Sequence, residues 1–263
     1  MKQRLVSIAR GLGLLPALDA ARFMRAKWRT AEENSEFLSA HPDFVAPPLW
    51  WMHDMYRHTS FPLYWRTGMA TAAGIAERVD RYGEAVAPRG AARVADWGCG
   101  LARVLRHLPD RYERTGFDYN AHAVNWCTNH IKGARFIRND LMPPLAVEAG
   151  SFEALYALSV FTHLSAGAHE AWIAEIARVL SPRGIFIGAF HMTPAPGQLL
   201  PDEQVRFDKG ELVVRGRVKE GSRTFVAYHP ETYLREHLFR GWDILEGSVE
   251  FFGQSLFVAR RPQ

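Results

Sequence analysis

The 263-residue chain predicts a doubly wound α/β fold: a mostly parallel sheet, helices on both faces and an antiparallel C-terminal edge strand. Three observations lead there. Short β-rich runs alternate with helical runs from Arg93 to Phe190. A turn with paired glycines, Gly98-Cys99-Gly100, stands where the first of those runs gives way to a helical pattern. In the last third, strand-like runs follow one another without a helix-length crossover, which implies antiparallel pairing.

Taken in order, residues 4–29 alternate apolar and basic positions at roughly helical spacing, with Pro16 as a break. Residues 41–67 are rich in proline and aromatic side chains, among them Trp50, Trp51, Tyr56, Phe61, Tyr64 and Trp65. That much aromatic area implies a compact cap rather than a linker. A helical pattern follows from Met69 to about Tyr82. Strands are then expected at 93–96, 112–117, 135–137, 152–159 and 184–190, with helices at 101–108, 121–131 and 166–180 between them. Residues 212–218 and 224–228 read as paired strands around Gly221, residues 230–239 as a helix, and 242–249 and 255–260 as closing strands. Residues 1–68 thus form a basic helical arm with an aromatic cap. Residues 69–263 form the main domain, with an insertion at about 193–224.

Composition narrows the function. Hydrophobic residues make up 48% and charged residues 23%, which excludes a disordered chain or a coiled coil. Two cysteines without a CxxC pair suggest neither a disulfide framework nor zinc. His122, Cys127 and His130 diverge around a single helix and do not read as a metal set. With no stretch of ~18 apolar residues, a cytoplasmic protein is expected. The net charge of +4 is unevenly placed: residues 1–30 hold seven bases against one acid, leaving 25 bases and 27 acids elsewhere. A nucleic-acid-binding face would spread its bases over the fold. The arm is expected to pack on the domain or a second subunit. Its alternatives are an anionic membrane surface at the inner face, or a secretory leader, which Asp19 at the place of a cleavage site disfavours.

Acidic residues end three successive strands. Asp96 precedes the glycine turn, Asp118 closes the next strand, and Asp140 follows the third in Asn139-Asp140-Leu141. A carboxylate in the first position suits a ligand amino group, and one in the second accepts hydrogen bonds from ribose hydroxyls. The third is placed to read an adenine amino group. Amino acid, ribose and adenine in that order describe S-adenosyl-L-methionine. Each acid also has a plainer role open to it: a helix cap at Asp96, a turn at Asp118, a loop at Asp140. As a cleft carboxylate, Asp118 should contribute little to stability. A nicotinamide dinucleotide is the rival cofactor, but Arg103 stands at the third glycine of that fingerprint.

With Ser159-Val160-Phe161-Thr162-His163-Leu164 and Arg178-Val179-Leu180-Ser181-Pro182-Arg183-Gly184, these motifs resemble the class I S-adenosylmethionine-dependent methyltransferases of Rossmann-like fold. The leader Pro42-Asp43-Phe44 and Pro47-Pro48, with His58-Thr59-Ser60, Tyr64 and Gly68, is similar to a bacterial subgroup acting on small molecules and glycans. The resemblance implies that Asp96, Gly98 and Gly100 face the methionine end, Asp118 the ribose and Asp140 the adenine. Tyr64 and Gly68 would close over the methionine end. Cys99, Tyr119, Asn139, Leu141 and Ser159 belong to the same expected cofactor site. Ala102 and Arg183 depart from the family by replacing glycines. Three histidines, His163, His191 and His229, stand near strand ends, and His163 and His191 are the candidates for a catalytic base. The aromatic cap and the insertion, with Arg206, Asp208, Lys209, Arg215 and Arg217, would shape a polar acceptor pocket. The expected activity is methyl transfer to oxygen or nitrogen of a small-molecule or glycan-type acceptor. RNA or protein methylation, or a non-catalytic interaction role on the same fold, are the alternatives.

Overall fold

The computed structural model describes residues 15–83, 91–216, 218–222, 224–251 and 253–262. The first fourteen residues of the basic arm and Arg217 therefore lie outside the described residues. Two compact units divide at Thr67/Gly68. Among the described residues, no helix is long and apolar enough to cross a membrane.

The first unit is built from α1 (Leu15–Arg29), α2 (Ala31–Ala40), α3 (Leu49–Tyr56) and the start of α4 (Phe61–Tyr82). Phe44 is its aromatic hub, meeting Phe37, Phe61 and Trp65 at ring separations of 5.2–5.6 Å. Buried Asn34 staples the unit: its amide donates to the Thr59 carbonyl at 2.8 Å and its oxygen accepts from the Phe61 N–H at 2.7 Å. The aromatic cap expected at residues 41–67 thus contains α3, and α4 starts eight residues before Met69. Ser60 begins that helix by accepting from the Leu63 N–H (3.2 Å), and Pro62 occupies its first turn, where a missing N–H costs nothing.

In the second unit, seven strands form one sheet in the order β3-β2-β1-β4-β5-β9-β8. They are β1 (Ala92–Trp97), β2 (Tyr112–Asp118), β3 (Ala134–Arg138), β4 (Phe152–Leu158), β5 (Leu180–Phe190), β8 (Asp243–Phe251) and β9 (Gln254–Arg260). Strands β1 to β5 are parallel, whereas β9 pairs antiparallel with both β5 and the edge strand β8. The strand order reverses between β1 and β4, so the crevice that binds ligands in such sheets opens at the carboxyl ends of these strands. Helices α5 (Ala121–His130) and α6 (Ala166–Val179) begin at side-chain caps, Asn120 and Ser165. One face buries Trp97 against Trp172 at 4.1 Å and runs through Phe161 and Phe186 to Phe239 and Phe257. On α4, Arg78 forms a bidentate pair with Glu246 of β8, and Asp80 accepts from the Tyr112 hydroxyl of β2.

Two expected helices change form. Residues 101–108 make turns and a short 3-10 segment (Leu105–His107), because Ala102 adopts φ +59°, a left-handed conformation through which an α-helix cannot propagate. Residues 230–239 hold one α turn (Glu231–Tyr233) and a π turn (Leu234–Leu238). The insertion contains α7 (Pro201–Asp208) and the two-stranded pair β6 (Val213–Arg215) and β7 (Val226–Tyr228).

Arg183, at the second departure from the family pattern, lies in the irregular start of β5 with φ +66° and an exposed side chain. A non-glycine residue pays ~1–2 kcal/mol for that conformation. Arg183→Gly should therefore raise stability by about 1 kcal/mol, read as a higher midpoint in urea unfolding with an unchanged slope. A loss of stability would show that the arginine side chain contributes more than its backbone costs.

Candidate cofactor site

Strand β1 delivers its last residues to the crevice in alternation. Trp97 points into the packed face, while Asp96 lies beside Tyr156 of β4, its register partner. The chain then turns sharply. Gly98 takes φ +82°, and a Cβ there would collide with the Val160 side chain. The N–H groups of Gly98 and Cys99 both donate to the Phe117 carbonyl, at 2.8 and 3.0 Å. Only glycine combines this conformation with so close an approach.

Asp118 fastens the turn from the neighbouring strand. Its Oδ2 accepts from the Gly100 N–H and its Oδ1 from the Asn120 N–H, each at 2.8 Å. Beside the small contribution to stability expected of a cleft carboxylate, this one ties the end of β1 to the end of β2. Both oxygens retain lone pairs for further donors.

The two acids are electrostatically unlike surface carboxylates. Burial pushes the Asp96 carboxyl up to about 7, and the negative charge of Asp118 adds to the effect. The Tyr156 hydroxyl and Arg103 pull in the other direction; the hydroxyl does so without an ordinary hydrogen-bond geometry. Burial also raises Asp118, against the stabilising N–H donors of Asn120, Gly100 and Tyr119. A cationic group brought beside this pair would relieve the penalty. The donor set therefore suits an ammonium-bearing, hydroxyl-bearing ligand.

The remaining expected site residues divide. Tyr119 is exposed and its hydroxyl donates to the Gly221 carbonyl at 2.9 Å. Asn139 is buried, with its Nδ2 donating to the Asp140 carbonyl at 2.6 Å and its Oδ1 without a hydrogen-bond partner. Asp140 is exposed, and the Leu141 carbonyl accepts from the Trp172 indole at 3.0 Å. Ser159, at φ +61°, donates to Gln254 of β9 at 2.9 Å. The Cys99 thiol lies over Gly116, buried, with its pKa driven well up by desolvation; it lines the underside of the turn. Tyr64 belongs to the first unit, where its ring meets Tyr56 at 5.7 Å and Phe44 at 6.3 Å. Gly68 allows α4 to close on the Arg103 carbonyl, which a Cβ would strike.

The β6–β7 segment is stitched across the ends of the strands. Gly221 N–H donates to the His163 carbonyl (2.9 Å), the Ser165 N–H donates to Glu220 (2.6 Å), and the His229 N–H donates to the His191 carbonyl (2.8 Å). His163 pairs its Nδ1 with the Phe225 carbonyl at 2.7 Å, so Nδ1 carries the proton and Nε2 the lone pair. Burial lowers the pKa of His163; burial and the neighbouring His163 ring lower that of His191, and both are neutral at pH 7. His229 is fully buried against Phe190 and His169, its pKa pushed well down by burial and by His169. Four charges of the insertion pair with one another, Arg215 with Glu203 and Arg206 with Glu211. Sequence reasoning missed Tyr156 and Gln254. A tyrosine in the otherwise apolar run Ala154–Leu158 was the available signal for the first.

Asp118→Ala should unfold more readily than the parent by on the order of 1–3 kcal/mol, because the Gly100 and Asn120 N–H groups lose their acceptor. Denaturant unfolding without ligand checks this. Unchanged stability would mean that the tie is dispensable.

Comparison with known proteins agrees with this fold. Residues 94–184 match the model of a methyltransferase domain, from β1 through the early part of β5. Among solved structures, DesVI of Streptomyces venezuelae superposes with a TM-score of 0.55 at 17% identity, over 77% of this chain and 97% of that one. S-adenosylmethionine-bound CalS10, an amino pentose methyltransferase of Micromonospora echinaspora, gives 0.54 at 18% identity, over 76% and 96%. The glycopeptide N-methyltransferase MtfA, complexed with S-adenosylhomocysteine, gives 0.53 at 15% identity, over 74% and 90%. Residues 94–184 are thus similar to a methyltransferase domain, and the chain shares its fold with S-adenosylmethionine-dependent methyltransferases.

Proposed function

We propose that the enzyme methylates oxygen or nitrogen of a polar small molecule or glycan-type acceptor. The observation that carries this reading is the pair of neutral histidines, His163 and His191, after the adjacent strands β4 and β5 and hydrogen-bonded to the β6–β7 segment and the residue that follows it. Hydroxyl and ammonium acceptors must lose a proton on methylation, and an imidazole Nε2 lone pair near neutrality is suited to take it. The fold-level likeness to an amino pentose methyltransferase and a glycopeptide N-methyltransferase supports the same acceptor class.

Bound S-adenosyl-L-methionine supplies a methyl group on an electrophilic sulfonium. The chain's own contribution is placement and proton handling. Asp96 holds the ligand ammonium, Asp118 accepts from ribose hydroxyls, and Asn139 with Asp140 and Leu141 borders the adenine. The glycine turn at Gly98–Gly100 lets backbone approach the ligand. Orientation of this kind can supply ~7–11 kcal/mol of the barrier reduction. The insertion at about 193–224 covers the acceptor side.

The experiment is a transfer assay that follows S-adenosylhomocysteine release against amino sugars, hydroxylated sugars, phenols, tRNA and peptides. Turnover confined to the polar small molecules supports the reading; turnover on tRNA or peptide overturns it. His163→Asn should lower kcat by ~10²-fold or more with little change in cofactor affinity.

Asp96 also makes binding pH-dependent. In the free protein its carboxyl is largely protonated below about 7, yet an ammonium ligand requires the ionised form. Binding then releases a proton, so S-adenosylhomocysteine affinity should fall by about tenfold per unit as pH drops below that value. Calorimetry across about pH 5.5 to 7.5 reads the slope, and Asp96→Asn should bind weakly with a flat profile. A flat profile in the parent would remove Asp96 from the ammonium site.

A further inference from the structure

Helix α1 has two faces of opposite character. Asp19, Phe23 and Ala26 are turned inward, with the Phe23 ring edge-on to Trp50 at 5.0 Å and Asp19 within 3.4 Å of Arg57. On the opposite side, Ala17, Ala21, Met24 and Trp28 recur at intervals of three or four residues and so form one stripe. All four are exposed, Met24 at 60% and Trp28 at 81%. Arg22, Arg25, Lys27 and Arg29 flank the stripe, all exposed, while the helix's one acid, Asp19, faces inward. The acids of the next helix, Glu32, Glu33 and Glu36, begin beyond Thr30.

The exposure is also concentrated. Among the described residues, six of the twelve large apolar side chains that remain exposed lie in the first unit. A tryptophan and a methionine left in water in one stripe, on a helix whose opposite face is held by Phe23 and Asp19, need a partner to cover them. Charge selects that partner. A second copy docked through the same face by a two-fold axis would set four cations against four cations. An anionic lipid surface offers what the face requires, with headgroups for the basic flanks and an interfacial layer for the Trp28 ring. Upstream, the sequence adds Lys2, Arg4 and Arg10 and no acid.

We propose that the α1 face of Ala17, Ala21, Met24 and Trp28, flanked by Arg22, Arg25, Lys27 and Arg29, binds the surface of an anionic phospholipid bilayer. The helix lies in the plane of the interface and does not cross it. This stands independently of the acceptor, since none of these residues belongs to the cofactor site.

The test is co-sedimentation of the full-length protein with vesicles of phosphatidylglycerol and phosphatidylcholine, and with vesicles of phosphatidylcholine alone. Binding is expected to the anionic vesicles at about 50 mM salt, strongly weakened at about 500 mM, and absent from the neutral ones. The double variant Arg25→Gln/Lys27→Gln should lose about 25-fold in affinity, at about fivefold per cation. Trp28→Ala should weaken binding while Trp28→Phe largely retains it. Unaltered S-adenosylhomocysteine affinity in each variant verifies that the fold is intact. Failure of the parent to sediment with anionic vesicles at low salt overturns the proposal. So does binding that is indifferent to these substitutions. Self-association or capture of an acidic protein through Trp28, without vesicle binding, assigns the face to another partner and equally overturns it.

Discussion

One carboxylate organises the cofactor end of the sheet. Asp118 accepts from Gly100 with one oxygen and from Asn120 with the other, joining the turn after β1 to the turn after β2. The Asn120 side chain in turn accepts from the N–H groups of His122 and Ala123, capping α5. A single ionisable group thereby sets the shape of the glycine turn, the distance between two strand ends and the start of a helix. Both N–H donors are fixed before any ligand arrives, so little reorganisation is left to be done on binding.

The same arrangement carries an electrostatic cost. Two acids are buried at neighbouring strand ends, and each is raised by desolvation. Packing on the other side of the strand supports the arrangement, where Trp97, one residue beyond Asp96, packs against Trp172 within a large apolar cluster. Strand alternation permits this division: odd positions of β1 hold the sheet to α6 while the intervening Asp96 is held out of the core. Stability gained on one face tolerates the strain of the other, as is common where charge must be ready for a ligand.

The parallel strands were legible because each is a short β-rich run between turn signals, and the three acids because each ends or closely follows such a run. Other features depended on contacts that no local pattern encodes. Tyr156 matters through its register opposite Asp96, which is a property of β4 pairing with β1. Ser159 is engaged by Gln254, 95 residues away. The helix expected after the glycine turn failed on the backbone of Ala102, whose methyl gives no hint of a left-handed conformation. The early start of α4 was hidden by aromatic residues that mask helical spacing, although Ser60 and Pro62 marked the boundary. The ion pairs within the insertion, Arg215 with Glu203 and Arg206 with Glu211, likewise depend on contacts that composition does not display.

Both cysteines of the chain are directed at the Gly100 carbonyl, Cys127 at 3.4 Å and Cys99 at 3.9 Å. Desolvation raises both thiols, that of Cys127 to about 12, and neither is exposed. Alkylating reagents attack thiolates, so neither sulfur reacts while the turn is closed. Each labelling event must wait for the loop at Gly98–Gly100 to lift away. The alkylation rate therefore acts as a clock on that local opening, and the slowing of the clock by a bound nucleoside measures how firmly the ligand shuts the door.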